Sequence, residues 1–455
     1  MAMNERQTIY ALSSGGLPSG VAVIRLSGPR VRFVLETLCR GVPEPRVATL
    51  RRLSDPGDGS ILDQALVLWF PGPASFTGED VAELQLHGGR AVVAAVLRAL
   101  ASFDGLAAAE PGGFTRRAFE AGRLDLTEVE GLGDLVTAET EAQRRQALRQ
   151  MGGALGRLYS DWAARLTRAR AMIEAEFDFA DEEDVPGGIS DSIWEDVIRI
   201  RDEIRHHLDD GRRGERLRSG LQVVLLGPPN AGKSSLLNAL AQRDAAIVTE
   251  EAGTTRDVIE VHLDLGGYPL TLVDTAGVRE KGAGAIEREG IRRALLRAEG
   301  ADLVLWMNDS AAGPMPVPDV LARSGVPVWP VMSKADRLDN LDSCAQRSGD
   351  AEEGAPLAIS VRSAEGTAGL IAALERFASR AMGRGEDVLL TQARHREGLV
   401  ACLAGLDRAL ENVRSPLELR SEELRGAAAG LGRIVGTSGV EDLLDVIFRD
   451  FCIGK

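Results

Sequence analysis

The residues best placed to do chemistry are those of Gly227-Pro-Pro-Asn-Ala-Gly232-Lys233-Ser234, in which two glycines, a lysine and a serine keep the spacing G-x-x-x-x-G-K-S. An apolar run, residues 221–226, leads into this segment, and an apolar-periodic run leaves it from Ser235. That context is strand, loop, helix. There, glycines let backbone N–H groups curl round a chain of phosphates, Lys233 reaches the β- and γ-oxygens, and Ser234 ligates Mg²⁺. Asn230, Ala231, Gly232 and Ser235 belong to the same cradle.

Three downstream stretches narrow the nucleotide to GTP. Residues 270–274 read as a buried strand ending in Asp274, followed by Thr275, Ala276 and Gly277. The carboxylate suits Mg²⁺ held through water, and the Gly277 N–H suits the γ-phosphate. Thr254 and Thr255, in a loop expected to order around the γ-phosphate, offer a second contact on the metal side. After a strand expected over 326–332 come Ser333, Lys334, Ala335 and Asp336. The two acceptor oxygens of Asp336 match the N1–H and N2–H₂ donors of guanine, which adenine lacks. Ser360, ending another apolar run, is expected to touch the base through backbone N–H. In order and spacing these stretches resemble the translation-factor-related GTPases, with one departure. The usual base-reading signature is N-K-x-D, and here the first position is Ser333, whose shorter side chain is expected to weaken the bond between base loop and phosphate loop.

The rest of the chain must position these groups. At 455 residues it is too long for one core, so two or three domains are expected. Its 44% hydrophobic and 27% charged residues are ordinary for a soluble protein. A net charge of −15 argues against a broad basic surface coating RNA but leaves room for a local patch. Cys39, Cys344, Cys402 and Cys452 lack metal-ligand spacing, which suits a reducing compartment and no structural zinc. No apolar run reaches the ~18 residues of a membrane span, and a first strand near Gln7 leaves no room for a leader, so a cytoplasmic protein without membrane contact is expected.

Strands are expected over 8–12, 21–26, 47–53, 62–70 and 81–86, with helices over 30–39 and 89–101, an α+β unit. From 127 to about 181 the pattern predicts continuous helix, then a break at Pro186-Gly187-Gly188 and a further helix from Ser190 to about His207. Helices return over 387–413, 421–431 and 439–451. The expected fold is multidomain α/β. It has an N-terminal α+β domain over 1–120 and a helical domain in two parts, 121–216 and 381–455. Inserted in the latter is a P-loop GTPase domain over 217–380, with a parallel-rich sheet flanked by helices.

Several stretches outside the nucleotide site carry a more specific likeness: Ser75-Phe-Thr-Gly-Glu-Asp80, Glu83-Leu-Gln-Leu-His87-Gly-Gly89, Pro111-Gly-Gly-Phe-Thr115-Arg-Arg-Ala-Phe119, Gly122-Arg-Leu-Asp-Leu126 and the terminal Phe451-Cys452-Ile453-Gly454-Lys455. With them the whole chain resembles the tRNA-modification GTPase family known as MnmE or TrmE. The resemblance implies an N-terminal folate-binding domain that dimerises, with Arg25, Glu83, Arg123 and Lys455 forming the pocket for 5-formyl- or methylene-tetrahydrofolate. Arg123 stands where lysine is common, and Gly113 where glutamate is usual. Cys452 is implicated in the modification chemistry, as nucleophile or local acid; on chemistry alone it either reacts or packs.

In Ras-like enzymes a glutamine after the D-T-A-G segment orients the attacking water, but Val278 follows Gly277 here and cannot hydrogen-bond. Glu287 matches the family's water-orienting glutamate, with Glu289 as the nearby rival. The family is also activated by potassium, and Asn230, Thr249, Glu251 and Thr254 match the ligand positions of that ion, leaving Thr255 with Ser234 for Mg²⁺. The activity implied is potassium-activated GTP hydrolysis. It acts with a flavin- and NADH-dependent partner of the MnmG or GidA type, in a heterotetramer, to install a carboxymethylaminomethyl group at C5 of the wobble uridine of certain tRNAs. Two alternatives are a GTPase of ribosome assembly, which usually carries a basic RNA-binding module not evident here, and a conformational switch without a folate site.

Overall fold

Alternating apolar residues in the first hundred positions build a six-stranded sheet. The fold is that of a computed structural model, which describes residues 7–178, 189–243, 245–247, 259–274, 300–313, 315–337, 356–363, 365–383, 390–411, 415–437, 441–449 and 451–454. Strands β1 (Thr8–Leu12), β2 (Ser19–Ser27), β3 (Thr49–Ser54), β4 (Ile61–Phe70), β5 (Val81–Gly88) and β6 (Leu106–Ala108) run in the order β3-β4-β5-β2-β1-β6. In β2, Ala22, Ile24 and Leu26 are buried, with Val23 and Arg25 on the opposite face, as a period of two requires. Helices α1 (Val31–Cys39) and α2 (Arg90–Ala101) cover the buried face, packing Val34, Leu38, Val93 and Leu100 on it. The five expected strands are present with ends shifted by up to two residues; the short β6 and helix α3 (Gly113–Glu120) were not anticipated.

The helix expected from 127 to about 181 is three helices: α4 (Leu126–Thr137), α5 (Glu141–Met151) and α6 (Ala154–Asp178). The first break is a capping box. The Gln143 side-chain oxygen accepts the N–H groups of Glu139 and Thr140 at 3.0 Å each, while the Gln143 N–H reaches Thr140 Oγ1 at 3.4 Å. The second break is Gly152-Gly153, where Gly153 takes a left-handed φ of +75°. Helices α7 (Ile189–Leu208) and α8 (Arg213–Ser219) follow.

The second sheet contains β7 (Leu221–Leu226), β8 (Ala246–Ile247), β9 (Ile259–Leu265), β10 (Tyr268–Asp274), β11 (Leu303–Asp309), β12 (Val328–Ser333) and β13 (Leu357–Ala358), in the order β13-β12-β11-β7-β10-β9-β8. From β10 to β13 across β7, every pairing is parallel, and β9 and β8 close the other edge antiparallel. Strands buried on both faces read as continuous apolar runs. Val223, Leu225, Leu272 and Leu305 pack with Leu236 and Leu240 of α9 (Lys233–Ala241); Val224, Val273 and Val304 pack on the other side with Leu321 of α10 (Asp319–Arg323). Leu370 and Leu374 of α11 (Ala368–Met382) join the first of these cores.

Three further helices are α12 (Ala393–Glu411), α13 (Leu417–Val435) and α14 (Glu441–Arg449). The first starts later than the expected residue 387, because residues 390–392 are not helical. The fold is multidomain α/β, as expected. The chain divides into two compact units: residues 1–133, 150–171 and 424–455 in one, residues 134–149 and 172–423 in the other. Inside the first unit the C-terminal segment returns to the beginning of the chain. Phe448 packs with Leu126 and Val129, Ile453 forms an isolated antiparallel bridge with Pro111, and Ser13 Oγ donates to the Gly454 carbonyl at 2.8 Å.

Candidate functional site

Parallel strands bring their C-terminal ends to one edge of a sheet, and loops there hold ligands. In the second unit the ends of β7, β10 and β12 meet in this way. The loop after β7 is shaped by backbone that side chains resist: Gly227 has φ +146°, Asn230 φ +63° and Gly232 φ +90°. A Cβ on Gly227 would collide with the Met307 carbonyl, and one on Gly232 would lie 3.3 Å from Ser333 Oγ. Helix α9 begins at Lys233, so its open N–H groups face the loop. Lys233 Nζ donates to the carbonyls of Gly227 and Pro228 at 2.8 and 3.0 Å. Burial lowers the pKa of this ammonium, opposed by the Asp274 carboxylate. Ser234 Oγ donates to Asp274 Oδ2 at 2.8 Å.

In the second half of the site Ser333 bonds the phosphate loop, donating from Oγ to the Ala231 carbonyl at 2.7 Å in a buried setting. Lys334, at φ +56°, adds a bond from Nζ to the Asn230 carbonyl at 2.8 Å and pairs with Asp309 at 2.7 Å. That lysine holds the Asp309 carboxyl below its ordinary pKa, with help from the Ala311 N–H. Asp336 lies in a single 3₁₀ turn, Ala335–Arg337. Its Oδ1 accepts the Ser360 hydroxyl at 2.9 Å, and its Oδ2 stands 3.2 Å from Arg362 Nε. The Ser360 N–H, expected to touch a base, instead donates to the Gly366 carbonyl at 3.0 Å, so Ser360 reaches the base loop through its hydroxyl.

Asn230, Ala231, Gly232, Lys233, Ser234, Ser235, Asp274, Ser333, Lys334, Asp336 and Ser360 therefore gather at one sheet edge. Thr249, Glu251, Thr254, Thr255, Thr275, Ala276, Gly277 and Glu287 lie outside the described residues. Among the described residues no group of three His, Cys, Asp or Glu side chains forms a metal cage. The Ser234 and Asp274 oxygens are the hard, sparse donor set that fits Mg²⁺, an ion that keeps several waters and takes phosphate oxygens. Of the four potassium candidates only Asn230 is described; it is exposed at the apex of the loop.

The first unit holds a different cluster. Arg25 of β2 and Glu83 of β5 stand opposite in register and pair at 2.9 Å, both half-buried. The Arg25 guanidinium lies over two rings, Phe76 at 5.8 Å and Phe114 at 5.7 Å. A paired carboxylate and guanidinium beside aromatic faces fit a planar pterin ring bearing adjacent donors. Arg123 is exposed beside Gly78, with Cγ 3.8 Å from where a Cβ on that glycine would stand, and Lys455 lies outside the described residues. Phe114 belongs to α3, and Gly112, just before α3, donates its N–H to the Cys452 carbonyl at 3.5 Å. The Cys452 residue is exposed, whereas Cys39 and Cys402 are buried with thiols pushed up to about 12. At Gly113 an added Cβ would meet Ile9 and Ala109 at ordinary contact distances, so packing does not require glycine there.

Residue types alone did not single out Phe76, Phe114, Asp309 or Arg362. The two phenylalanines sit inside the recurring stretches, but their contact with Arg25 depends on strand pairing and on α3.

A family model described as the MnmE helical domain matches residues 126–452, and one described as the GTP-binding protein TrmE N-terminus matches residues 8–123. The tRNA modification GTPase MnmE of Parvibaculum lavamentivorans is 55% identical over 452 residues, spanning 99% of this chain and 100% of the relative. Proteins of the same name from Mesorhizobium japonicum and Rhizobium meliloti are each 53% identical, over 98% and 100% of this chain and 99% and 100% of their own.

Proposed function

Because this chain belongs to the MnmE, or TrmE, family of tRNA modification GTPases, we propose that it couples potassium-activated GTP hydrolysis to modification of the wobble uridine. It is a GTP-hydrolysing enzyme of tRNA modification. The finer reading is that a carboxymethylaminomethyl group is installed at C5 together with a flavin- and NADH-dependent partner of the MnmG type, with a tetrahydrofolate supplying one carbon.

The observation that carries the hydrolytic half is the convergence of Lys233, Ser234–Asp274 and Ser333–Asp336 on one sheet edge. In this reading the N–H groups at the start of α9 and Lys233 hold the phosphates, and Asp336 selects guanine. Ser234 and Thr255 would hold Mg²⁺, which supplies charge neutralisation between the β- and γ-phosphates. Potassium, on Asn230, Thr249, Glu251 and Thr254, would add positive charge where other GTPases use an arginine. Glu287 orients the attacking water. The folate would lie on Arg25, Glu83, Arg123 and Lys455, with Cys452 at the modification site. Homodimerisation by the first sheet finds support in its outer strands β3 and β4, where Leu50 and Leu66, opposite in register, are 65% and 42% exposed. We take the domain boundaries to lie near 120, 216 and 380. No helix among the described residues is long and apolar enough to cross a membrane.

The test is steady-state GTP hydrolysis in potassium against sodium at matched ionic strength, with and without Glu287→Ala. Strong potassium stimulation that disappears in the variant is expected; equal rates in both salts would remove the potassium site. Equilibrium dialysis with a reduced folate tests the first unit, where Arg25→Ala should abolish binding and leave hydrolysis intact.

A further inference from the structure

We propose that Arg362 is a specificity-determining residue of the nucleotide site, holding the Asp336 carboxylate in the orientation that accepts both guanine donors. The proposal rests on the reading of Asp336 as the residue that meets the base.

A lone aspartate is a poor reader, because its carboxylate turns freely about a broad terminal torsion. Guanine needs both oxygens presented side by side to N1–H and N2–H₂. Here the carboxylate is gripped at each end. The Ser360 hydroxyl donates to Oδ1 at 2.9 Å, and the Arg362 backbone N–H donates to that hydroxyl oxygen at 3.4 Å, directing its proton toward Asp336. The Arg362 side chain then returns to the same carboxylate, with Nε 3.2 Å from Oδ2. One residue thus acts on both ends of the reader, on Oδ1 through its backbone by way of the Ser360 hydroxyl and on Oδ2 through its guanidinium. Each carboxylate oxygen accepts along two directions, so one on each remains for the base.

The platform beneath this grip is fixed by backbone bonds. Ala335 N–H donates to the Ile359 carbonyl, Ile359 N–H to Met332 and Ser360 N–H to Gly366, at 3.0, 2.8 and 3.0 Å. A Cβ on Gly366 would collide with the Ser360 carbonyl, which is why the loop can close so tightly. Asp336 is 19% exposed at the side chain and Arg362 75%. An ion pair that open to water contributes little by itself, so the effect is a tuning of selectivity by a few-fold.

Full-length protein and its Arg362→Ala and Arg362→Lys variants are titrated with GDP and with inosine diphosphate, whose base lacks the 2-amino donor. Arg362→Ala is expected to lose about three- to fivefold in GDP affinity and less in inosine diphosphate affinity, so the ratio of the two shrinks. Arg362→Lys restores part of that ratio, and high salt narrows the gap between wild type and Arg362→Ala. Equal losses for both nucleotides, an unchanged ratio, or tighter GDP binding in Arg362→Ala each overturns the proposal alone. A wild type that does not distinguish the two nucleotides overturns the role of Asp336, and this proposal with it.

Discussion

Ser333 binds the Ala231 carbonyl across 102 positions of sequence, and the reason it can do so is the residue it meets. Gly232 has no Cβ, and the place where one would stand is 3.3 Å from Ser333 Oγ, so strand β12 runs close enough for a one-carbon side chain to do what asparagine does elsewhere. Reach is set by the approach of two backbones, which a residue type does not reveal. Removing the hydroxyl leaves a carbonyl without its partner beside the nucleotide, a loss of ~1 kcal/mol or somewhat more. Ser333→Ala is therefore expected to weaken GDP binding about five- to tenfold, read by titration with a fluorescent nucleotide. Ser333→Asn must fit a larger side chain against Gly232 and should bind no better than wild type, despite matching the common signature. The glycines, Lys233, Ser234 and Asp336 were legible at this scale, because phosphate and guanine chemistry dictate type and spacing together.

At the scale of elements, periodicity located the helices but overran their joints. The capping box at Thr140 and Gln143 lies inside a polar, proline-free stretch and reads as ordinary helix surface until its hydrogen bonds are seen. Gln143 also donates from Nε2 to the Arg218 carbonyl at 3.1 Å, tying the start of α5 to the end of α8, just ahead of β7. Thr140→Ala should cost about 1 kcal/mol, visible as a lower urea midpoint with nucleotide affinity unchanged. A second element-level feature is the junction after α7. Arg396 of α12 pairs there with Asp210 and Glu215 at 2.6 Å each and donates to the Leu208 carbonyl at 3.0 Å. Burial, opposed by Asp210 and reinforced by Arg396, His395 and His206, pushes the His207 pKa from 6.5 down to about 4. Between those values the unfolded chain binds the extra proton and the folded chain does not. Stability present above pH 6.5 is thus lost as the pH falls toward 4, by up to about 3 kcal/mol. The urea midpoint should fall over that window in wild type and fall less in His207→Gln.

Across the whole molecule, each compact unit is assembled from separated pieces of chain, and no single stretch of sequence announces that. The recurring stretches near the N-terminus become intelligible only at this scale. Thr77 bonds Ser27 Oγ at 2.7 Å, and Glu79 pairs with Arg117 at 2.7 Å, so much of their composition keeps distant strands and α3 together. The terminal segment is held by the same logic. Gly454 has φ +96°, and a Cβ there would collide with the Leu12 carbonyl. Gly454→Ala should release the segment, since left-handed backbone alone costs a residue with a Cβ ~1–2 kcal/mol. Hydrogen exchange at Gly112, whose N–H donates to the Cys452 carbonyl, should then quicken by about tenfold or more, with GTP hydrolysis unchanged. The docking has a further consequence for how the protein is made. Ser13 emerges from the ribosome 441 residues before its partner Gly454, a delay of roughly 20–90 s at ordinary elongation rates. For most of that interval Phe119, Leu126 and Val129 wait without Phe448 and Phe451, the rings that cover them. A chain that terminates before Phe448 leaves this apolar surface bare for chaperones and proteases, so the folded first unit certifies that translation has passed the segment that covers it.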